Sequence, residues 1–533
     1  MSPTSVFISE NTPRYIAISG ATWEAPMLKT ALGARLLPNG NFRLPASYNS
    51  FKGLRETLGE DSLKDPSLQH FNSPWGFLEK SRSDLENHQH WGTLFPYQRD
   101  AISFLVSSTH RGALLALSPG LGKTLVSITA ASLLEAERVL IVAPLSLLPT
   151  WGREIRKWAS DQEFEVCWGS TPSKAPWVIT NYDTLVRRGG FFIKEPWDIV
   201  IADESILVKN RSTLRWKSLN NLRNHTKRIW LLSGSPISRY ADDLWAQFNL
   251  IDREIFPSYW KFAEKFCVLN STAWGTSVVA SRPEEDLRDN FRDIFFVRHQ
   301  KDVLPDLPNL IFETIECPLL PEQERSHIEL AKTFRTQLEG EELSVSSKLS
   351  MLLRLQQISS NLINVGGKDV SSKADALIEL IETGSVPTPC IIWVHWLRGA
   401  QALEKRLGKS QSEENVVLMT GETRDRDDVI QRFRSGTLPF LILGTEVGKF
   451  GLTLIEAQSM IYFDRTFDSD AHIQSLHRVQ RIGLKHRPLV ITLRSSGTVD
   501  EAIEGNLSRK MKSIAQITNA DLRFLLDSIV RKK

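Results

Sequence analysis

The stretch ALLALSPGLGKT, residues 113–124, joins an apolar run to a glycine-rich turn that ends in Lys123 and Thr124. The apolar run predicts a buried strand, and the amphipathic residues 124–135 predict a helix directly after it. Glycines in such a turn let backbone N–H groups point inward at phosphate oxygens, and the helix N-terminus adds positive potential. The residues predicted to cradle phosphate are Pro119, Gly120, Leu121, Gly122, Lys123 and Thr124.

The two polar side chains at the end of this turn have distinct predicted roles. Lys123 reaches the β- and γ-phosphates of a nucleotide, and the Thr124 hydroxyl holds Mg²⁺. The strict pattern G-x-x-x-x-G-K-[ST] fails at its first position, where Leu117 stands. A glycine-rich turn with an exposed lysine is the alternative interpretation, but the strand, turn and helix in succession favour phosphate binding.

Apolar runs of the same kind recur along the chain and alternate with amphipathic stretches. They comprise residues 139–143, 177–180, 199–202 and 229–232, and then 389–394, 416–419, 440–443, 460–463 and 489–493. Continuous apolar strands that alternate with helices predict parallel sheets covered on both faces. We therefore expect two α/β domains, separated by a mostly helical region over residues 242–373.

An acidic pair follows the apolar run at 199–202. Asp203 stands where the predicted strand ends and can hold Mg²⁺ through water, while Glu204 can orient or deprotonate an attacking water. A surface Asp-Glu turn is the alternative interpretation, but its place after a buried strand and downstream of a phosphate loop favours catalysis. After the next predicted strand, Ser233, Gly234 and Ser235 form a small hydroxyl turn that could sense the γ-phosphate.

Composition excludes several classes of protein. The 533 residues include 65 Lys and Arg against 62 Asp and Glu, so the net charge is only +3 and any nucleic-acid binding must come from local patches. The four cysteines form no Cys-x-x-Cys pair, which argues against a zinc site or a disulfide framework and indicates a reducing cytoplasm. We find no signal peptide and no apolar run of about 18 residues, so we expect no membrane span.

The order of these motifs resembles that of a known motor family. GLGKT at 120–124, DES at 203–205 and SGSPI at 233–237 resemble the first motor domain of superfamily 2 helicases. Residues 139–148 and 179–185 are similar to the DNA-tracking motifs of Swi/Snf-type translocases within that superfamily.

The second half of the chain agrees with this resemblance. Residues 444–454 look like motif V of the family, and residues 474–483 look like motif VI. Residues 94–98, ahead of the phosphate loop, are similar to its adenine-reading Q motif. The resemblance covers about 94–510, with the motifs in the family's order.

The resemblance implies ATP and Mg²⁺ as cofactors and DNA as the partner. Arg478 and Arg481, three residues apart on one predicted helix, would neutralise charge on the γ-phosphate as arginine fingers. The implied nucleotide contacts outside the phosphate loop are Tyr97, Gln98, Gly451 and Gln474. The implied DNA contacts are Pro144, Leu145, Ser146, Asn181, Tyr182, Thr184, Thr445, Lys449 and Thr453. Ser233, Gly234 and Ser235 would couple the two activities.

Three residues depart from the family pattern: Leu117, Ile206 and Leu484. Ile206 stands where the family usually has His or another polar residue, and it cannot donate the usual hydrogen bond. The catalytic groups are intact, so we expect activity. Five of the 15 tryptophans fall in family-like segments and are expected to pack in the core: Trp151, Trp158, Trp197, Trp245 and Trp260.

The expected fold is α/β, with two RecA-like parallel-sheet motor domains, helical insertions and a small α+β N-terminal domain. Residues 1–90 would form that accessory or substrate-recognition domain. Residues 91–310 would form the first motor domain, and residues 311–533 the second. Helical insertions are expected at about 242–300 and 320–373.

Residues 1–90 contain strand-like runs at 15–19 and 41–45 and helix-like runs at 26–32 and 50–58. The pattern loosely resembles the HARP-type recognition domains of annealing helicases and the N-terminal domains of phage branch-migration helicases. A domain that only braces the motor is the alternative. At the other end, the stretch 478–533 carries 12 Lys and Arg against 5 Asp and Glu, which predicts a basic tail that either lies along DNA or is merely solvated.

The leading hypothesis is an ATP-driven translocase on duplex DNA that remodels forks or branched junctions in replication, recombination or repair. It would bind DNA without sequence preference, act as a monomer and work in the cytoplasm of a bacterium or of a phage-infected host. A strand-separating DNA or RNA helicase is the first alternative. A non-catalytic, ATP-gated DNA-binding clamp is the second, and the intact Lys123, Glu204 and Arg481 argue against it.

Overall fold

The computed structural model divides the chain into two units, Met1–Pro305 and Asp306–Lys533. The predicted helices at 26–32 and 50–58 and the polar stretch 61–90 lie outside the residues that it describes, apart from Leu54 and residues 89–90. The described residues are 5–8, 15–19, 35–36, 42–45, 54, 89–107, 111–167, 174–238, 240–253, 255–272, 275–340, 345–423, 425–444, 452–465, 469–501 and 529.

Four short strands near the N-terminus form an antiparallel sheet in the order β1-β2-β4-β3. They are β1 (Ser5–Ile8), β2 (Tyr15–Ser19), β3 (Arg35–Leu36) and β4 (Phe42–Pro45). The strands β2 and β4 confirm the two strand-like runs predicted for this segment.

The rest of the first unit is a seven-stranded sheet in the order β13-β5-β10-β9-β6-β8-β7, in which every pair is parallel. Its seven strands are β5 (Gly112–Leu117), β6 (Val139–Ala143), β7 (Phe164–Cys167), β8 (Trp177–Asn181), β9 (Trp197–Ala202), β10 (Thr226–Ser233) and β13 (Phe295–Arg298). Two further strands of the unit are β11 (Cys267–Thr272) and β12 (Gly275–Ser281). The strands β11 and β12 stand apart from this sheet and pair with each other as an antiparallel hairpin.

Nine helices of this unit fall within the described residues. They are α1 (Pro96–Ser107), α2 (Lys123–Leu133), α3 (Leu148–Trp158), α4 (Tyr182–Phe192), α5 (Leu214–Arg223), α6 (Asp243–Ile251), α7 (Tyr259–Phe266), α8 (Glu284–Asn290) and α9 (Gln300–Val303). They cover both faces of the sheet, because successive strand residues belong to opposite clusters. In β10, Ile229 and Leu231 enter one core cluster, and Trp230 and Leu232 enter the other.

The second unit has a six-stranded sheet in the order β14-β19-β18-β15-β17-β16, again with parallel pairs throughout. The strands are β14 (Ile311–Glu316), β15 (Cys390–Val394), β16 (Val416–Met419), β17 (Phe440–Gly444), β18 (Ser459–Tyr462) and β19 (Leu489–Arg494). The helices are α10 (Pro321–Gly340), α11 (Val345–Ser360), α12 (Ser372–Glu382), α13 (Leu397–Gln411), α14 (Arg426–Arg434) and α15 (Ser469–Val479).

All ten strands predicted from apolar runs are present, and the expected pair of parallel sheets is confirmed. The region predicted to be mostly helical differs, because it also holds the hairpin of β11 and β12 and the sheet strands β13 and β14. The hairpin side chains are mostly exposed, so the segment lacks the apolar run that marks a buried strand. Trp260 was expected in the core and is 47% exposed, so that expectation was wrong. Among the helices of the described residues, none is long and apolar enough to cross a membrane.

A buried ion pair lies in the second unit. The side chain of Lys373 is 1% exposed, and its ammonium lies 2.6 Å from an Asp500 carboxylate oxygen. It also donates to the Phe463 carbonyl at 3.1 Å. Burial would lower the pKa of Lys373, but the charges of Asp500 and Asp464 outweigh it and the pKa is raised. The lysine therefore stays ionised between two acidic groups, tying α12 to the end of β18 and to the chain after β19.

We expect Lys373→Met to destabilise the second unit by about 3–5 kcal/mol, because it leaves carboxylates without their buried cation. Thermal unfolding followed by circular dichroism measures the loss. The double variant Lys373→Met/Asp500→Leu should recover part of it, because an apolar pair carries no unpaired charge.

Lys409→Ala removes an exposed lysine of the same unit and should stay within about 0.5 kcal/mol of the wild-type protein. A Lys373→Met protein with the wild-type unfolding temperature would show that the ion pair adds no stability.

Candidate active site

The phosphate-loop sequence folds as a tight turn between β5 and α2. Gly120 and Gly122 have φ values of 85° and 87°, a left-handed conformation that glycine adopts without strain. A Cβ atom on Gly122 would lie 2.7 Å from the Gln98 side-chain nitrogen, so the loop also requires glycine for space. The Lys123 ammonium donates to the Leu117 carbonyl at 3.1 Å, while the Leu117 side chain is buried in the core. The departure from the strict pattern at Leu117 thus places no side chain in the turn.

The side chains of Tyr97 and Gln98 hold the phosphate loop in place through hydrogen bonds to its backbone. The Tyr97 hydroxyl and the Gln98 amide nitrogen both donate to the Leu121 carbonyl, at 3.0 and 3.1 Å. The Gln98 amide oxygen accepts from the Phe95 backbone N–H at 3.0 Å. The two side chains are 4% and 3% exposed. The structure therefore places both as braces of the phosphate loop, and their contact with adenine stays a prediction.

The Asp203 carboxylate lies just beyond the end of β9 and is 5% exposed. One of its oxygens accepts from the Trp151 indole N–H at 2.9 Å, and the other accepts from the Glu204 backbone N–H at 2.9 Å. Burial raises the pKa of Asp203, while the charge of Lys123 and these two hydrogen bonds act in the opposite direction. The charge of Lys123 therefore favours the ionised form of the Asp203 carboxylate.

Glu204 is held in an uncommon backbone conformation. Its φ and ψ are 49° and 54°, in the left-handed region that costs a residue with a side chain roughly 1–3 kcal/mol. Strain of this kind persists only where surrounding contacts enforce it. Its own backbone N–H is fixed on Asp203, and the following residue, Ser205, is fully buried and donates its hydroxyl to Gln247 at 2.8 Å.

The hydroxyl turn at residues 233–235 lies against the phosphate loop. A Cβ atom on Gly234 would lie 2.9 Å from the Pro119 ring and 3.4 Å from the Lys123 ammonium. Ser233 is buried, and its hydroxyl oxygen accepts from the Ser235 backbone N–H at 3.2 Å. The turn therefore lies beside Pro119 and Lys123, and its response to a nucleotide stays a prediction.

Three of the predicted DNA contacts in the first unit are buried. Asn181 caps α4 by accepting from the Thr184 backbone N–H at 2.8 Å, and Thr184 is itself 2% exposed. The Tyr182 hydroxyl donates to the Asp203 carbonyl at 2.7 Å. These side chains therefore make hydrogen bonds within the protein, and the contact of these residues with DNA stays a prediction.

The other predicted contacts of this unit lie at the surface. Leu145 is 56% exposed, and its neighbours Pro144 and Ser146 are half-buried. The short turn 144–146 directly follows β6, so in the all-parallel sheet it lies at the same edge as the phosphate loop.

In the second unit the described site residues lie on α15, directly after it, and in the segment before β18. The Arg481 guanidinium donates to the Thr453 hydroxyl and to the His477 carbonyl, each at 2.6 Å. The Leu454 backbone N–H donates to the Arg478 carbonyl at 2.9 Å, and Arg478 is 7% exposed. Gln474 is half-buried on α15. Motifs V and VI are thus joined by hydrogen bonds, while Thr445, Lys449 and Gly451 lie outside the described residues.

The donors near the phosphate loop fit a nucleotide-bound Mg²⁺. The Thr124 hydroxyl and the Asp203 carboxylate are hard oxygen ligands, which Mg²⁺ prefers. Mg²⁺ in such sites is bound by one or two protein oxygens together with phosphate oxygens and water. Among the described residues no group of three or more His, Cys, Asp or Glu side chains could hold a metal ion.

Sequence reasoning missed two side chains of this site. Trp151 was expected only to pack in the core, where it is 1% exposed, yet its indole N–H also holds Asp203. Gln247 lies within α6 and is fully buried. A glutamine inside an apolar helix, in the run Leu244-Trp245-Ala246-Gln247-Phe248, was the available signal.

We expect Trp151→Phe to lower ATP turnover roughly 10- to 100-fold, because a hydrogen bond to a charged group contributes about 1.5–3 kcal/mol. Loss of this N–H donor raises the pKa of Asp203 further, so the acid limb of the pH profile of ATP hydrolysis should move to higher pH. Steady-state ATPase assays over a pH and Mg²⁺ series measure both effects.

Trp197→Phe is the matched control, because it removes a buried indole N–H that donates to the Phe192 carbonyl at 2.7 Å, at the opposite end of β9 from Asp203. Equal losses in the two variants would mean that Trp151 acts only through stability.

Comparisons with known proteins identify the family of the chain. A model of the SNF2-related domain matches residues 97–362, and a model of the helicase conserved C-terminal domain matches residues 372–483. The SWI/SNF-related matrix-associated actin-dependent regulator of chromatin subfamily A-like protein 1 of Xenopus laevis is 26% identical over 443 residues, which are 81% of this chain and 45% of that protein. The ATP-dependent helicase/translocase YwqA of Bacillus subtilis is 26% identical over 469 residues, with 81% and 49% covered.

Among solved structures, the SWI2/SNF2 ATPase core of Sulfolobus solfataricus in complex with dsDNA is 25% identical, with 81% of this chain and 94% of that chain covered and a TM-score of 0.39. The chain spans about half the length of the two relatives named above. With both family models matched in order along its length, the chain belongs to the Swi/Snf-related group of superfamily 2, the ATP-dependent helicases and translocases.

Proposed function

We propose that the chain is an ATP-driven motor that translocates on duplex DNA and remodels forks or branched junctions. The observation that carries the ATPase part is the buried Asp203 carboxylate, held by two N–H donors beside Lys123 and next to Glu204. Its relatives support nucleic acid as the track, since YwqA is named a helicase/translocase and the Arabidopsis relative CHR23 an ATP-dependent DNA helicase.

Each group of the phosphate site has a definable task. Lys123 neutralises charge on the nucleotide phosphates, and Glu204 orients the attacking water and accepts its proton. Mg²⁺, when bound with the nucleotide, supplies further charge neutralisation at the phosphate oxygens. Asp203 and Thr124 would hold that cation. Arg478 and Arg481 would neutralise charge on the γ-phosphate, the role that the motif VI resemblance implies.

Recognition of the DNA backbone is the second part of the proposal. The surface turn at 144–146 presents an apolar side chain, a hydroxyl and backbone groups, which suit phosphate and sugar better than base edges. The net charge of +3 supplies no general attraction, so binding depends on such local contacts. We therefore expect binding without sequence preference that weakens as salt is raised.

One observation favours strand separation as a second candidate. The β11–β12 hairpin projects mostly exposed side chains along its length, as an element that splits a duplex would need to do. Residues 1–90 are proposed either to select branched DNA or to brace the motor. A comparison of ATP hydrolysis with different nucleic acids distinguishes duplex translocation from strand separation, and it also tests for a preference for branched DNA.

We expect duplex and branched DNA to stimulate ATP hydrolysis more than single-stranded DNA or RNA. Turnover without polymer and with each of these four substrates, at matched nucleotide concentration and two salt concentrations, tests this order. Strongest stimulation by single strands or RNA would replace duplex translocation with the strand-separating alternative.

Glu204→Gln should lower turnover at least about 10²-fold, because general-base and water-positioning groups contribute on this scale, while ATP binding is retained. Turnover assays and equilibrium binding of a fluorescent ATP analogue measure the two effects. Glu165→Gln changes an exposed glutamate of β7 in the same unit and should leave both unchanged. Retained turnover in Glu204→Gln would remove Glu204 from the mechanism.

A further inference from the structure

We propose that Gln247 is a positioning residue. It fixes the backbone at Glu204 and connects it to Pro236, which directly follows the hydroxyl turn at residues 233–235. The inference rests on the proposed ATP hydrolysis and goes beyond it by naming a residue that touches neither nucleotide nor DNA. It connects the segment that carries the catalytic carboxylates to the segment that lies beside Pro119 and Lys123.

Both ends of the Gln247 amide are engaged. Its oxygen accepts from the Ser205 hydroxyl at 2.8 Å, and its nitrogen donates to the Pro236 carbonyl at 2.8 Å and to the Asp243 carbonyl at 3.1 Å. Two carbonyl acceptors on one side require the nitrogen to face them, so the oxygen must face Ser205. Gln247 and Ser205 are both fully buried, which makes every one of these hydrogen bonds costly to leave unmade.

The Ser205 end of this chain of contacts bears on catalysis. Ser205 directly follows Glu204, whose left-handed backbone needs enforcement from its neighbours. Of the two residues that follow Glu204, only Ser205 has a side chain that can form hydrogen bonds, because Ile206 is aliphatic. The contact with Gln247 anchors Ser205 and thereby limits where the Glu204 carboxylate can point.

The Pro236 end of the chain bears on the nucleotide. Residues 233–236 follow β10, and Gly234 leaves no room for a side chain beside Pro119 and Lys123. A shift of this turn changes the position of the Pro236 carbonyl, and the buried amide must follow because water cannot replace the contact. The displacement then reaches Ser205 through the other end of the same rigid amide group.

A second contact ties the same two segments together. The Lys209 ammonium lies 3.5 Å from an Asp243 carboxylate oxygen, and Asp243 accepts from the Ser238 hydroxyl and backbone N–H at 2.7 Å each. The start of α6 is thus bound to two segments, one that follows residues 203–205 and one that follows the hydroxyl turn. Gln247 lies one turn further into this helix. A shift of either segment would therefore displace Gln247 as well.

The experiment compares Gln247→Leu, Ser205→Ala and the double variant as full-length proteins, with duplex DNA at saturation. Each single change should lower kcat of ATP hydrolysis roughly five- to tenfold, the equivalent of one buried hydrogen bond, with the KM for ATP within about twofold of wild type. The double variant should lose no more than the worse single variant, because both changes break the same connection.

Asn220→Leu is the control for a merely structural role. Asn220 is 8% exposed and accepts from Arg253 at 2.8 Å, so the variant also loses a buried amide hydrogen bond in this unit, away from Glu204. It should lower the unfolding temperature and keep kcat. Wild-type kcat in Gln247→Leu, additive losses in the double variant, or an equal kcat loss in Asn220→Leu would each overturn the role of Gln247.

The wild-type protein separates this inference from the proposed function. If it hydrolyses no ATP with any polymer, the proposed function is rejected and the role of Gln247 falls with it. A different outcome rejects only the role of Gln247. In it, DNA stimulates ATP hydrolysis by the wild-type protein, but the milder change Ser205→Ala leaves kcat intact.

Discussion

The burial of the Asp203 carboxylate is the constraint on which the first unit depends. An ionised carboxylate taken out of water costs several kcal/mol unless nearby donors and charges compensate. Here the compensation comes from the Trp151 indole, the Glu204 backbone N–H and the charge of Lys123, each on a different element. The helix α3, the turn after β9 and the start of α2 must therefore meet at one point. Parallel strands make this possible, because their carboxyl ends lie along one edge of the sheet.

The two units use buried charge differently. In the first, Asp203 and Lys123 lie at the predicted phosphate site, and the proposed ATP hydrolysis uses their charges. In the second, Lys373 and Asp500 are paired within the fold and serve to hold α12 to the segments that follow β18 and β19. Removal of one partner of such a pair is costly, whereas replacement of both partners by apolar residues is often neutral or stabilising.

Much of the architecture could be predicted from the sequence, because strands buried on both faces appear as unbroken apolar runs. The hairpin and the edge strand β14 escaped notice, since their exposed side chains remove that signal. The phosphate loop and the acidic pair were recognisable because their chemistry demands particular residues at particular spacings. Trp151 and Gln247 were not, because an indole or an amide in an apolar helix looks the same whether its polar atom is used or not. The burial of Asn181, Tyr182 and Thr184 was not foreseen for the same reason, since a sequence does not say whether a polar side chain faces inward.

The hydrogen bond from Tyr182 to the carbonyl of Asp203 has a consequence for how such motors diverge. A phenol that belongs to the segment assigned to DNA tracking supports the backbone of the segment that hydrolyses ATP. Lineages that acquire a new polymer preference through this segment must therefore keep the phenol or replace its support from elsewhere. Drift at this position would therefore also disturb the backbone around the phosphate site.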